Sequence, residues 1–500
     1  MANLLDRSSL VLTPTAFNNG EALCIKPDDG SGDFQFSRNS AATRVNAQGL
    51  VENVQILSSN LVQNGDFSNG STDWNLGTGW SIGEDKAVAD GTTNNAISQT
   101  IISSVVGKLY KIDFTIDDYV TGNIRIYFGG VFTPFVNANG VYSFYISATA
   151  IDALATSASG LFIGSITNIS VIEITDDTNL PRINYENGCG SWLFEPQSTN
   201  LVTYSEDFSQ YSTGNSPIIE GGFLAPDGTN NAYKITNTGS STLYISGANF
   251  TSAATRSVYA RSVSGTGTAT LMSYFGNTNN VFTLTEDWQR FEVNGTTAAA
   301  GEDNFYAADF RGSGTLTEYI IWGAQVEEQP YATSYIPTSG STVTRNQDVC
   351  TNGGSLATIN STEGVLYAEI AALANDLTDR DISISDGTNN NVVRIRLSRF
   401  SNNIGYAVLS NGITTVGALV SGQTQTNTNK IAVKYKQDDF ALWINGVEVA
   451  TDTSGSTPIG LSSLQFTSGN VALPFFGKTK ALAVWKEALS DSELQSLTTI

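Results

Sequence analysis

Five hundred residues are more than one hydrophobic core serves, so three or four domains are expected, and 40% apolar with 10% aromatic residues excludes a disordered chain. Only 14% of residues are charged and the formal net charge is −22, which excludes a nucleic-acid partner because phosphate binding needs Lys and Arg. Histidine is absent and the three cysteines (Cys24, Cys189, Cys350) are far apart, which removes Ser-His-Asp and Cys-His catalysis, His-bearing zinc sites and a disulfide framework.

The rest of the composition is Thr, Ser, Asn and Gly around short alternating apolar runs, and this pattern predicts an all-β chain. The opening, MANLLDRSSL, has no basic segment followed by an apolar one, so no secretory signal is expected. No stretch reaches 18 apolar residues, so no membrane span is expected.

Residues 1–59 hold short strands such as 9–12 (SLVL), 34–37 (FQFS) and 49–54 (GLVENV), split by Pro14 and Pro27. The loop 28–33 carries Asp28, Asp29 and Asp33, a weak set of calcium ligands without the Glu that ends an EF-hand loop. A plain polar turn is the alternative, and structural calcium is the one cofactor considered.

Residues 60–176 form a first repeat and 200–344 a second. Asn60-Leu61-Val62 with Asp66-Phe67-Ser68 returns as Asn200-Leu201-Val202 with Asp207-Phe208. The phrase 90–96 (DGTTNNA) returns as 227–232 (DGTNNA) at similar spacing, the mark of a duplicated module. Alternation at 111–117 (KIDFTID) and 123–128 (NIRIYF), with turns about every ten residues, suits a jelly-roll sandwich. Trp74 and Trp80 flank Gly77 and Gly79, and such a pair either stacks on a sugar ring or plugs the end of the core. The second repeat ends in a central strand, 319–326 (YIIWGAQV), and an extended strap, 329–338 (QPYATSYIPT).

Residues 345–500 form the last domain. The run 440–449 (FALWINGVEV) reads as a hairpin with an Asn-Gly turn. Ser490 and Glu493 form a capping-box pattern that opens one short C-terminal helix. Between 391 and 440 six basic residues stand against two acidic ones, a local net of +4. Alternation sets Arg394 and Arg396 opposite Val393 and Ile395, Lys434 and Lys436 opposite Val433 and Tyr435, and Trp443 opposite Leu442 and Ile444. We expect Arg394, Arg396, Lys434, Lys436 and Trp443 to share one solvent face that binds an anionic glycan or an acidic subunit. An ordinary solvated sheet face is the alternative. The Glu-x-Asp-x-x-Glu strand of laminarinase-type glycosidases is missing, so no enzyme is expected.

The stretches 36–54 (FSRNSAATRVNAQGLVENV), 181–209 (PRINYENGCGSWLFEPQSTNLVTYSEDFS) and 321–348 (IWGAQVEEQPYATSYIPTSGSTVTRNQD) resemble a family of phage virion proteins. That family comprises head-spike, head-fibre and tail-fibre proteins. In such relatives the first stretch leads almost directly into the second, so residues 60–176 look like an inserted domain and 177–199 like a connector that belongs with 1–59. Two positions depart from the family: Trp192 interrupts a usual Leu run, and Ser198 stands where Arg is common. The repeats also resemble carbohydrate-binding jelly rolls, and 345–500 a laminin-G or concanavalin A-like sandwich, on the Trp443 hairpin and the LSDSEL helix.

These resemblances imply a non-enzymatic protein located in the virion, with 1–59 as attachment region and the sandwiches displayed for host-surface attachment. The partners implied are other virion proteins, host-surface glycans and further copies of the chain. A trimer is the usual fibre form, although no apolar heptad is present to enforce it. The alternative is a purely structural capsid or tail cementing protein, and a third reading is a secreted glycan-degrading enzyme.

Overall fold

The computed structural model describes residues 2–92, 95–186, 188–245, 254–273, 280–296 and 304–500. They form an all-β, multi-domain chain of antiparallel sheets, closed by the short helix Asp491–Thr498. The Ser490 N–H donates to Glu493 at 2.9 Å, as the capping box requires. The Asn-Gly hairpin is also present: Ile444 pairs with Val447, and Asn445 (φ 51°) and Gly446 (φ 83°) supply the turn. A second short helix, Ala2–Arg7, was not signalled by the sequence. Six residues are too few for helical periodicity to show.

The two repeats share a hydrogen-bonding scheme. Asn60 Oδ1 accepts from the Val62 and Val171 N–H groups, both at 3.0 Å. Asn200 Oδ1 accepts from Val202 at 3.1 Å and Val326 at 3.2 Å. In each repeat the asparagine thus ties the opening segment to a late strand and satisfies backbone groups that would otherwise be buried unpaired. The echoed Asp turns match too, with Asp90 accepting from Thr92 N–H at 2.8 Å and Asp227 from Thr229 N–H at 2.9 Å.

In the first repeat two long strands, Leu109–Phe128 and Leu154–Asp176, pair with each other through three register shifts. Bulges of this kind bend a strand, so one continuous sheet folds over its own core of Phe67, Trp74, Trp80, Ile112 and Phe162. The entering strand Ile56–Asn60 pairs with the leaving end of Leu154–Asp176 (Ile56 with Asp176), so the repeat begins and ends at one place. The second repeat is built on a five-stranded sheet in which Glu318–Glu327 is central, as its two-faced apolar sequence predicts.

The last part of the chain is a sandwich. One sheet includes Gly477–Trp485, Glu363–Ala372, Asn429–Lys436 and Phe440–Ile444; the other includes Arg380–Ser385, Val392–Leu397, Asn403–Ser410 and Ile413–Ser421. Residues from 1–59 and 177–199 complete the first sheet and its core, with Leu10 opposite Val484 and Trp192 opposite Thr479.

A buried charge node ties the segments together. Arg182 donates to Glu195 at 2.6 Å and to Asp348, and Arg345 reaches Glu195 at 2.8 Å. Arg38 donates to Asp348 at 3.1 Å, and Ser334 of the strap donates its N–H to Glu195 at 2.7 Å. The three guanidinium groups are essentially inaccessible. Burial pushes the Glu195 carboxyl up, but Arg345 and Arg182 outweigh it and hold the pKa at about 2. Every member of the node lies within 36–54, 181–209 or 321–348. Ser198 donates at 2.6 Å to another buried carboxylate, Glu327.

Candidate functional site

The five residues expected on one face lie on two. Alternation within each strand is as predicted, since Val393, Ile395, Val433, Tyr435, Leu442 and Ile444 all enter the shared core. Val392–Leu397 belongs to one sheet, however, while Asn429–Lys436 and Phe440–Ile444 belong to the other. Their outward faces therefore point away from each other across the sandwich. Trp443 is 7% exposed and packs with Leu489, Leu494 and Trp485, because the terminal helix covers that sheet. Lys434 beside it pairs with Asp439 at 2.7 Å and Asp491 at 3.3 Å, and Lys436 with Glu363 at 3.0 Å. These three residues are packing and rim groups.

Arg394 and Arg396 remain, and they border a groove of about 320 Å³. In register Arg394 stands opposite Ala407 and Arg396 opposite Gly405, and these stand opposite Gly417 and Leu419. Small residues between longer ones leave the depression, and a Cβ on Gly405 would meet the Ala418 carbonyl at 2.6 Å. Arg396 spends its fork on buried Asp381, donating through Nε at 2.7 Å and Nη2 at 2.8 Å. Arg394 is left with a long contact to the same carboxylate, 3.6 Å, and burial pushes its pKa down with only partial relief from Asp381. Exposed Arg399, whose guanidinium lies 5.4 Å from the Phe400 ring centroid, and Phe400, 54% exposed, complete the rim. A half-matched guanidinium beside an exposed ring can take up a planar anion through two parallel hydrogen bonds.

The other expected site residues are structural. Trp74 and Trp80 are buried in the first repeat's core, with indole N–H groups donating to the carbonyls of Asn64 at 2.9 Å and Asn95 at 2.7 Å. No indole face is offered to a sugar there. In the 28–33 loop, Asp29 accepts from Ser31 N–H at 2.9 Å while Asp33 accepts from Cys24 N–H at 2.7 Å. The two carboxylates turn to different backbone partners, and no group of three metal-ligating side chains occurs among the described residues.

A second concavity gave no sequence signal. It is a cleft of about 1320 Å³ between the two repeats, closed along one side by the hairpin strands Thr43–Val45 and Val51–Asn53. The first repeat contributes the outward face of Gly140–Ser147, including Tyr145, and the loop bearing Phe135. The second contributes Tyr204, Glu206, Asp207 and the 227–231 turn. Asn230 clamps the repeats together: its N–H donates to the Val141 carbonyl at 2.9 Å, and its Oδ1 accepts from Val141 N–H at 2.8 Å. Glu206 accepts from Tyr335 at 2.9 Å and Asn231 at 3.0 Å, and burial with Asp227 nearby raises its pKa to about 7. Glu206 and Asp227 share the Asn231 amide as donor, so they sit on one wall.

No family model matches the chain, and no curated protein matches it. Part of the chain is weakly similar in structure to carbohydrate-binding β-sandwich modules. The CBM40 of the Ruminococcus gnavus IT-sialidase, bound to α2,3-sialyllactose, matches at 19% identity over 28% of this chain and 84% of that one, with a TM-score of 0.25. Domain 4 of AbnA, a GH43 extracellular arabinanase from Geobacillus stearothermophilus, in complex with arabinotriose, matches at 13% identity over 34% and 84%, with a TM-score of 0.26. The leech intramolecular trans-sialidase matches at 20% identity over 30% and 26%, also at 0.26. At these values the likeness assigns no ligand to this chain.

Proposed function

We propose that this chain is a non-enzymatic component of a bacteriophage particle, a head or tail fibre or decoration protein that holds glycan-binding sandwiches toward the host surface. The virion assignment rests on the three stretches that resemble virion proteins, whose charged residues build the buried node joining the modules. In this reading 60–176 and 200–344 are jelly-roll modules, the first of them inserted, and the last sandwich is concanavalin A-like. The binding part is carried by one observation: Arg394, with one long ion pair among the described residues, beside exposed Arg399 and Phe400 in a shaped groove. The partner class is an acidic glycan whose carboxylate meets Arg394 while its ring lies against Phe400.

The test uses the full chain on an array of sialylated, uronate-containing and neutral glycans. Binding of acidic glycans that is lost in Arg394→Ala/Arg399→Ala is the expected result. Binding unchanged in that variant, or no acidic glycan retained by the parent chain, overturns the assignment of the groove. Antibody labelling of intact phage particles tests the virion assignment separately.

A further inference from the structure

The cleft between the repeats has the opposite chemistry from the arginine groove. Two basic and five acidic side chains line it: Arg44 and Lys111 against Glu52, Asp113, Glu206, Asp207 and Asp227. Arg44 pairs with Glu52 at 2.8 Å and Lys111 with Asp113 at 3.1 Å, which leaves Glu206, Asp207 and Asp227 of the second repeat without a basic partner among the described residues. The charge of this acidic wall is moderated near neutral pH, because burial raises the pKa of Glu206 to about 7. An anionic ligand is repelled there.

The first repeat's wall presents aromatic surface. Phe135 is 44% exposed and Tyr145 43% exposed, although both come from a module with an ample core of its own. Phe135 is held in place from behind. The Arg125 guanidinium lies 3.7 Å from the Phe132 ring centroid and 4.1 Å from that of Phe135, wedged between the two rings. A cation so placed fixes the orientation of Phe135, which lines the cleft. The opposite wall supplies carboxylate and amide oxygens, which accept hydrogen bonds from hydroxyl groups.

A ligand with apolar CH faces, many hydroxyl donors and no negative charge satisfies both walls. The volume exceeds the range of about 300–1,000 Å³ that holds one drug-sized molecule, and the cleft is open to solvent, so the ligand is extended. We propose that the cleft binds a neutral oligosaccharide strand, stacked on Phe135 and Tyr145 and hydrogen-bonded to the acidic wall of the second repeat. The site exists only where the repeats meet, and neither module carries it alone. Gly140 permits that meeting, since a Cβ there would lie 2.5 Å from Asn230 Cγ.

The experiment titrates the full chain by calorimetry with neutral glucan, xylan and mannan oligosaccharides of two to six units, alongside sialyllactose. At least one neutral series is expected to bind more tightly as it lengthens. The Phe135→Ala/Tyr145→Ala variant, both positions being exposed, is expected to melt with the parent and to lose at least about tenfold in affinity for that series. Arg394→Ala/Arg399→Ala leaves the neutral series unchanged. If no neutral series binds, or if the double aromatic variant binds it as the parent does, the proposal is overturned. Sialyllactose binding lost only in the arginine variant keeps the two sites distinguishable.

Discussion

Arg182 and Arg394 carry the same side chain and differ in every respect that matters for function. Arg182 is sealed in the node with Glu195, Asp348 and the Ser334 hydroxyl as partners. Arg394 is partly buried at the edge of a groove, with one long contact among the described residues, to a carboxylate that Arg396 already occupies. A guanidinium whose charge is matched by buried carboxylates fixes the arrangement of segments, because leaving either charge uncompensated in the interior is costly. A guanidinium with donors to spare beside a groove is available to a partner. Basic residues therefore mark a binding site only once their internal partners are known.

The largest expected effect comes from breaking the node. Arg182→Ala removes a cation from between two buried carboxylates and is expected to cost about 3–5 kcal/mol. Chemical denaturation of the full chain reads this as a lowered midpoint, and proteolysis is expected to reach the strap and the 177–199 connector first. A loss below about 1 kcal/mol would show that the node does not hold the segments.

Acid and neutral pH are expected to act on the two conspicuous glutamates in opposite directions. Glu195 sits at about 2 in the folded chain against an ordinary 4.5, so its contribution is complete above pH 4.5 and is lost as pH falls through about 2. Glu206 sits at about 7, so its contribution is complete below 4.5 and is lost as pH rises through about 7. Thermal melts between pH 5 and 7.5 are expected to show a decline that Glu206→Gln flattens, because a neutral amide still accepts from Tyr335. An equal decline in the variant would mean that another group titrates there.

On the surface the expected changes are small. Arg394 is partly buried, so Arg394→Ala is expected to cost about 1 kcal/mol, well below the Arg182 value, while removing acidic-glycan binding. Lys436→Ala breaks a half-exposed pair with Glu363 and is expected to change stability by about 0–0.5 kcal/mol and binding not at all. Equal effects of Arg394→Ala and Lys436→Ala on glycan binding would erase the distinction between groove and rim.

Half of the arginine groove was legible in the sequence. Alternation put Arg394 and Arg396 outward, and it did the same for Lys434, Lys436 and Trp443. What alternation cannot give is which sheet a strand enters. Arg394 and Lys434 separated because their strands pair with different neighbours, and Trp443 went under cover because a helix some fifty residues later in the sequence lies on it. Arg399 and Phe400, which complete the rim, lie just past the strand end where no periodicity guides the reading. The cleft was invisible because its walls come from three segments that meet through long-range contacts such as Asn230 with Val141 and Val51 with Pro226.

The amino-acid sequence by itself determined what short-range physics controls. Strands follow from alternation, the Asn445-Gly446 turn from its tolerance of positive φ, and the terminal helix from its capping residues. The duplicated phrases were also legible, but that their asparagines anchor late strands was not, because those bonds join residues more than a hundred positions apart. Only the tertiary structure decided which arginines are buried, which aromatic faces stay open and where the repeats touch. Those outcomes rest on pairings such as Leu10 with Val484 and Arg38 with Asp348. Contacts between residues hundreds of positions apart are selected by the fit of whole faces, and the residues on either side of such a contact carry no local trace of it.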